Sequence, residues 1–130
     1  MNSNNNIDNT DTEQKDYIYI IQDSGNNCVK CGISHKPDKR LKQLQTGSMN
    51  ELDLIYTEEC GYGGRKRTLQ LEKMIHKELR DKGLKQRGEW FCLNESTTIQ
   101  DIIDTVVWIR IRYEQDDLYF TYGHLNPYYK

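Results

Sequence analysis

The sequence predicts an α+β domain: a small antiparallel sheet flanked by helices, with a C-terminal helical extension. Three observations predict it. Two runs rich in aromatic and β-branched residues, Tyr17-Ile18-Tyr19-Ile20-Ile21 and Cys28 to Ile33, flank the turn cluster Asp23-Ser24-Gly25-Asn26-Asn27. That is the pattern of an antiparallel hairpin. Further on, Leu71, Met74, Ile75 and Leu79 recur at the spacing of one helix face. The segments then follow the order strand, strand, helix, strand, helix, strand.

Each element has its own local reason. Residues 1–15 are mostly Asn, Asp, Ser and Thr. Such a segment buries too little apolar surface to offset its ordering entropy, so a disordered tail is expected. After the hairpin, Pro37 opens a helix and Gly47 closes it, the usual asymmetry of helix ends. Leu41 and Leu44 give that helix its inner side. Leu52 to Thr57 reads as a third strand, and Gly61, Gly63 and Gly64 as a flexible connection. A second helix is expected from Thr68 to Lys82, stopped by Gly83. Glu89-Trp90-Phe91-Cys92-Leu93 reads as a short final strand. From Ser96, a candidate N-cap, another helical pattern runs through Ile99, Ile102, Ile103 and Val106. Ile109, Ile111 and Tyr113 then alternate with Arg110 and Arg112, a strand-like period that leaves the helix end open. The division expected is a tail at 1–15, a compact domain at 16–94 and an extension at 95–130 lying outside its core.

Composition narrows the function. With 130 residues and a mass of 15.4 kDa, one domain is expected. The formal net charge of −2 argues against a protein that simply coats DNA. The distribution argues otherwise, because 14 of the 18 basic residues lie in Lys30–Lys42 and Arg65–Arg87, which hold four acids. A chain basic in its middle and acidic toward its ends suits one phosphate-facing surface. No apolar run approaches the roughly 20 residues that span a bilayer, and no charged-then-apolar leader opens the chain, so an intracellular location is expected.

Cys28 and Cys31 have the spacing of a metal or redox pair. On a strand, however, residues three apart point to opposite faces. No second pair completes a set of four ligands, so reduced, metal-free thiols are expected. On a helical wheel Glu72 and His76 fall side by side at the edge of the apolar stripe, where a helix-borne site next to a sheet belongs.

Four blocks in order resemble the GIY-YIG nuclease superfamily, and more narrowly its "meiotically up-regulated gene" branch of phages and large DNA viruses. Tyr17-Ile18-Tyr19 stands for the first triplet and Lys30-Cys31-Gly32 for the second, 11 residues apart from Tyr19 to Lys30. Arg40 follows Gly32 by eight residues, within Pro37-Asp38-Lys39-Arg40-Leu41-Lys42-Gln43-Leu44-Gln45-Thr46-Gly47. Leu71-Glu72-Lys73-Met74-Ile75-His76 and Gly88-Glu89-Trp90-Phe91 complete the set. The Asn-rich composition is in keeping with a viral or phage protein.

The resemblance implies a metal-dependent endonuclease that hydrolyses DNA phosphodiester bonds with one Mg²⁺ or Mn²⁺. Tyr19 matches the tyrosine that activates or positions the attacking water. Arg40 matches the arginine that neutralises charge on the phosphoryl group. Glu72 matches the carboxylate that holds the metal. The chemistry asks for these types: a hard oxygen ligand, a cation for the phosphoryl oxygens and a relay for water. Three positions depart from the pattern. Tyr17 replaces a glycine, Lys30 replaces the second tyrosine, and Leu44 stands where relatives carry His or Tyr. His76, one turn after Glu72, is the candidate for that polar role, and Lys30 the candidate for lowering the pKa of Tyr19. The alternative is a catalytically inactive DNA-binding module on the same scaffold.

Overall fold

The computed structural model describes the backbone of residues 15–61 and 64–122, and within them the side chains of 15–60 and 67–114. The tail expected at 1–15, apart from Lys15, lies outside the described residues, as do Gly63 and the last eight positions. The chain forms β1 (Asp16–Asp23), β2 (Cys28–Ser34), α1 (Pro37–Thr46), β3 (Leu52–Gly61), α2 (Gly64–Asp81), β4 (Lys85–Arg87), β5 (Trp90–Cys92) and α3 (Ile99–Tyr122). The five strands make one antiparallel sheet in the order β3-β1-β2-β5-β4. This is the α+β architecture expected, and β1 pairs with β2 as a hairpin.

The hairpin turn is held by side-chain chemistry. The buried Asp23 carboxylate accepts bonds from the Asn26 backbone N–H at 3.2 Å, Asn26 Nδ2 at 3.0 Å and Asn50 Nδ2 at 3.1 Å. Asn27 then takes a left-handed φ of 55°, which asparagine tolerates better than most residues.

Alternation along β1 and β2 divides the sheet into two faces. Ile18, Ile20, Val29 and Cys31 join Leu71, Ile75, Leu79, Phe91, Ile102, Val106 and Ile109 in the main core. Each such side chain removed from water contributes about 1.5–3 kcal/mol before its ordering entropy is subtracted. Tyr19, Ile21 and Leu52 form a smaller cluster on the other face, packed by Leu41 and Leu44 of α1.

Several elements differ from expectation. α2 begins at Gly64, four residues before Thr68, and β3 runs on to Gly61. β4 is an additional strand. Its Lys85, Gln86 and Arg87 are all exposed, so no apolar alternation marks it; backbone pairing of Lys85 with Cys92 and of Arg87 with Trp90 holds it. Gly88 makes the turn at φ 61°, with Glu89 as the second turn residue. The cap of α3 is Thr98, not Ser96: Thr98 Oγ1 accepts the Asp101 N–H at 3.1 Å, and Asp101 Oδ2 accepts the Thr98 N–H at 2.8 Å. This reciprocal pair satisfies two otherwise orphaned donors.

The strand-like alternation after Val106 is helix instead. Ile109 is buried, Ile111 is exposed, and Tyr113 Oη donates to the Arg67 carbonyl at 3.2 Å. The expected C-terminal helix is therefore present, but it does not stand outside the core. Ile102, Val106 and Ile109 belong to the same cluster as the sheet and α2.

Candidate active site

The second face of the sheet carries the polar groups. Tyr19 and Gly32 sit directly opposite each other on β1 and β2. The tyrosine leans over the glycine so closely that a Cβ there would lie 2.5 Å from Tyr19 Oη and 3.1 Å from Glu72 Oε2. Gly32 is thus a floor that brings a phenol and a carboxylate together, and any side chain in its place would push them apart. The Arg40 guanidinium, from α1, bonds Gln43 Oε1 at 3.4 Å and stands near enough to the Tyr19 oxygen for its charge to act on the phenol. Burial pushes the phenol pKa above its ordinary value; Arg40 pulls it back, and the negative charges of Glu72 and Glu89 add to the rise. The tyrosine is therefore held as a neutral phenol.

Glu72 and His76 reach this face from the edge of α2, both half-buried. β5 pairs with β2 only at Cys28 and Val29. From Lys30 onward that edge of β2 has no strand partner among the described residues. His76 fills the gap, with Nε2 at 2.7 Å from the Cys31 carbonyl. A carbonyl can only accept, so Nε2 carries the hydrogen, which leaves Nδ1 as the acceptor of a neutral ring. The Phe91 ring, 5.5 Å away and tilted by 45°, holds the imidazole in place.

Lys30 is only 4% exposed. Its Nζ pairs with the Glu89 carboxylate, and Arg40 Nη2 lies 3.9 Å from the same Glu89 oxygen. The hydrogen bond and charge of Lys30 hold the Glu89 carboxyl below its ordinary pKa. Lys30, the candidate for lowering the Tyr19 pKa, is paired with Glu89, and the charge that pulls the phenol pKa down is that of Arg40. Burial outweighs it. Leu44 packs against the Tyr19 cluster and offers no polar group.

The structure thus brings Tyr19, Arg40 and Glu72 together, with Lys30 and His76 beside them. It adds Glu89, whose place in the sequence next to Trp90 gave no sign of its partners. α1 continues the basic character. A cleft lined by Ser34, His35, Lys36, Lys39, Arg40 and Gln43 shares His35, Lys36 and Lys39 with a second cleft reaching Lys42 and Tyr17. Not every basic residue of the second segment joins this surface. Lys77 pairs with Asp81 at 2.8 Å, and Arg67 lies over the Tyr113 ring at 5.5 Å.

Among the described residues, no three His, Cys, Asp or Glu side chains converge as a metal cluster. Glu72 presents hard oxygens at a solvent-accessible rim. That suits an ion such as Mg²⁺, which keeps most of its shell as water and phosphate oxygens. Cys31 points into the main core, whereas Cys28 faces Cys92 with 3.1 Å between the sulfurs. Burial raises their thiol pKa values to about 12 and about 11.

Lys30 and Arg40 facing the Glu89 carboxylate, beside a tyrosine and a carboxylate over a glycine floor, suit an anionic group that can bring a metal with it. The class this defines is a small α+β domain with a charged polar site on one face of its sheet. The chain belongs to the T5orf172 domain family, which matches residues 16–110. That domain is found in phage proteins and is associated with homing-endonuclease-like, GIY-YIG-like nucleases, so its role is nuclease-like or DNA-binding. No curated protein and no solved structure matches the chain. The family match runs past residue 94 to Arg110 and so takes in the part of α3 that enters the core. Among the described residues, no helix is long and apolar enough to cross a membrane.

Proposed function

We propose that the chain is a metal-dependent DNA endonuclease of the GIY-YIG type, working inside the cell of a phage or viral host. The observation that carries this reading is the approach of Tyr19 Oη and Glu72 Oε2 to the same point over Gly32, with the Arg40 charge close enough to pull the phenol pKa down. In this reading Glu72 holds the divalent ion. When bound, Mg²⁺ or Mn²⁺ supplies Lewis-acid polarisation of a phosphate oxygen and neutralises developing charge. Arg40 binds non-bridging oxygens in a forked geometry that lysine cannot copy. Tyr19, held neutral by burial, orients the attacking water through its hydroxyl. His76, with Nε2 committed to the Cys31 carbonyl, offers Nδ1 to accept the water's proton. Water attacks phosphorus, one P–O ester bond breaks, and a proton is returned to the departing oxygen. The basic clefts along α1 carry the flanking phosphates.

Incubating supercoiled plasmid with Mg²⁺ or Mn²⁺ tests the reading. The native chain should nick it only when metal is present, and Glu72→Ala should not nick it detectably while keeping its DNA affinity. Equal cleavage by Glu72→Ala would overturn the enzyme. One observation favours the second reading, an inactive DNA-binding module: Lys30, in place of the second tyrosine, is already engaged by Glu89. Absence of metal-dependent cleavage on any duplex or branched substrate, with DNA binding intact, would select it.

A further inference from the structure

Glu89 is unlike the other charged groups of the site. It sits at the tip of the β4–β5 turn beside Gly88, and its side chain is 68% exposed. The cation it faces is almost wholly enclosed. A buried ammonium without an anion is costly, so some anion must stand at Lys30. In the free protein that anion is Glu89, and one of its oxygens faces both Lys30 of β2 and Arg40 of α1. Two cations from separate elements converging on one oxygen is the arrangement that a non-bridging phosphate oxygen takes. Glu89 is not fixed there by packing: the β2–β5 ladder has already ended at Val29 and Phe91, and the carboxylate is open to solvent.

We propose that the Glu89 carboxylate occupies the seat of a DNA phosphate in the free protein, as a displaceable counter-anion for Lys30 and Arg40. The inference rests on the reading of this site as one that binds a phosphodiester. It adds that the seat is filled until the backbone arrives. Glu89 then turns outward on its exposed hairpin tip, and the phosphate inherits both cations. The device explains how an ammonium can stand nearly buried at a nucleic-acid site without an uncompensated charge in the free protein. It also makes docking selective, since only an anion able to reach both cations releases the glutamate.

The test is binding of a short duplex without metal, followed by fluorescence anisotropy across a salt series. Four chains are compared: native, Glu89→Gln, the double variant Lys30→Met/Glu89→Gln, and Arg40→Ala. Removing the competing charge should tighten binding about tenfold at low salt, an effect that salt screens. It should also steepen the slope of log affinity against log salt by about 0.9, because the displaced glutamate no longer takes up a counterion. In the double variant the gain should vanish, since the phosphate has lost Lys30. Glu89→Gln binding no tighter than native would overturn the proposal. So would a double variant that gains as much as the single, which would mean a general loss of negative charge. Should Glu89→Gln unfold, the double variant, which leaves no buried unpaired ammonium, is compared directly with native: binding no tighter than native is the expected result, and tighter binding overturns the proposal. Arg40→Ala separates the two readings. Weaker binding with this variant keeps the phosphate site, whatever Glu89 does; unchanged binding removes the phosphate site itself and this proposal with it.

Discussion

The two faces of the sheet are made by the same two strands and are put to opposite uses. On one face Ile18, Ile20, Val29 and Cys31 meet α2 and α3 in a dry core. On the other, Tyr19, Lys30 and Gly32 meet α1, none of whose residues is fully buried. Strand alternation makes the division possible: each residue of a strand faces away from its neighbours, so Lys30 is flanked in sequence by two core residues, Val29 and Cys31. A stiff apolar face therefore holds the backbone from which the polar face projects. α2 serves both, with Leu71 and Ile75 in the core and Glu72 and His76 at its edge.

Substitutions should break along that line. The largest effect is expected at Phe91, which is fully buried. Phe91→Ala should cost about 3–5 kcal/mol of stability in a urea titration, and activity should fall with the folded fraction. Tyr19→Phe keeps the buried ring and removes only the hydroxyl. It should lower the nicking rate about 10²–10³-fold, as loss of one polar group at a transition state does. Its unfolding midpoint should move little, since a single hydrogen bond contributes about 1 kcal/mol net. A Tyr19→Phe chain that nicks at the native rate would remove the hydroxyl from the mechanism. Gly32→Ala strikes the polar face itself, because its methyl would meet Tyr19 Oη at 2.5 Å. It should cost about 1–3 kcal/mol as an overpacked site and slow cleavage out of proportion to that loss.

The smallest effect near neutral pH belongs to the thiols. Cys31 on the core face and Cys28 on the other have pKa values raised from 9.0 to about 12 and about 11. A raised value means that the folded chain holds these protons more tightly than the unfolded one. Their contribution should be fully present below pH 9.0 and be lost as pH rises through about 11 and about 12. Unfolding followed across that range checks the sign; a stability that rises with pH there would contradict it.

How much of this was legible in the sequence follows from how local each signal is. The hairpin and α1 carry their own signals: a turn cluster between two apolar runs, and Pro37 at a helix start. β4 carries none, because Lys85, Gln86 and Arg87 are exposed and held by backbone pairing alone. The path of α3 was hidden by an accidental alternation at Ile109, Ile111 and Tyr113, which a helix accommodates by exposing Ile111. Tyr19, Arg40 and Glu72 stood out through their resemblance to a family rather than through composition. Their meeting depends on Gly32, whose missing side chain is a matter of three-dimensional clearance. The link from Lys30 to Glu89 spans 59 positions, and no local pattern encodes it.

The central claim is that the polar face is a hydrolytic centre supported by, but separable from, the apolar face. Glu72→Gln tests it most directly, because the substitution keeps shape and removes only the charge that would hold the metal. Single-turnover nicking of a duplex at saturating Mg²⁺ should fall by about 10²–10³ relative to native, with the thermal midpoint and duplex affinity unchanged. A Glu72→Gln chain that nicks at the native rate, or that loses activity only because it unfolds, would contradict the account.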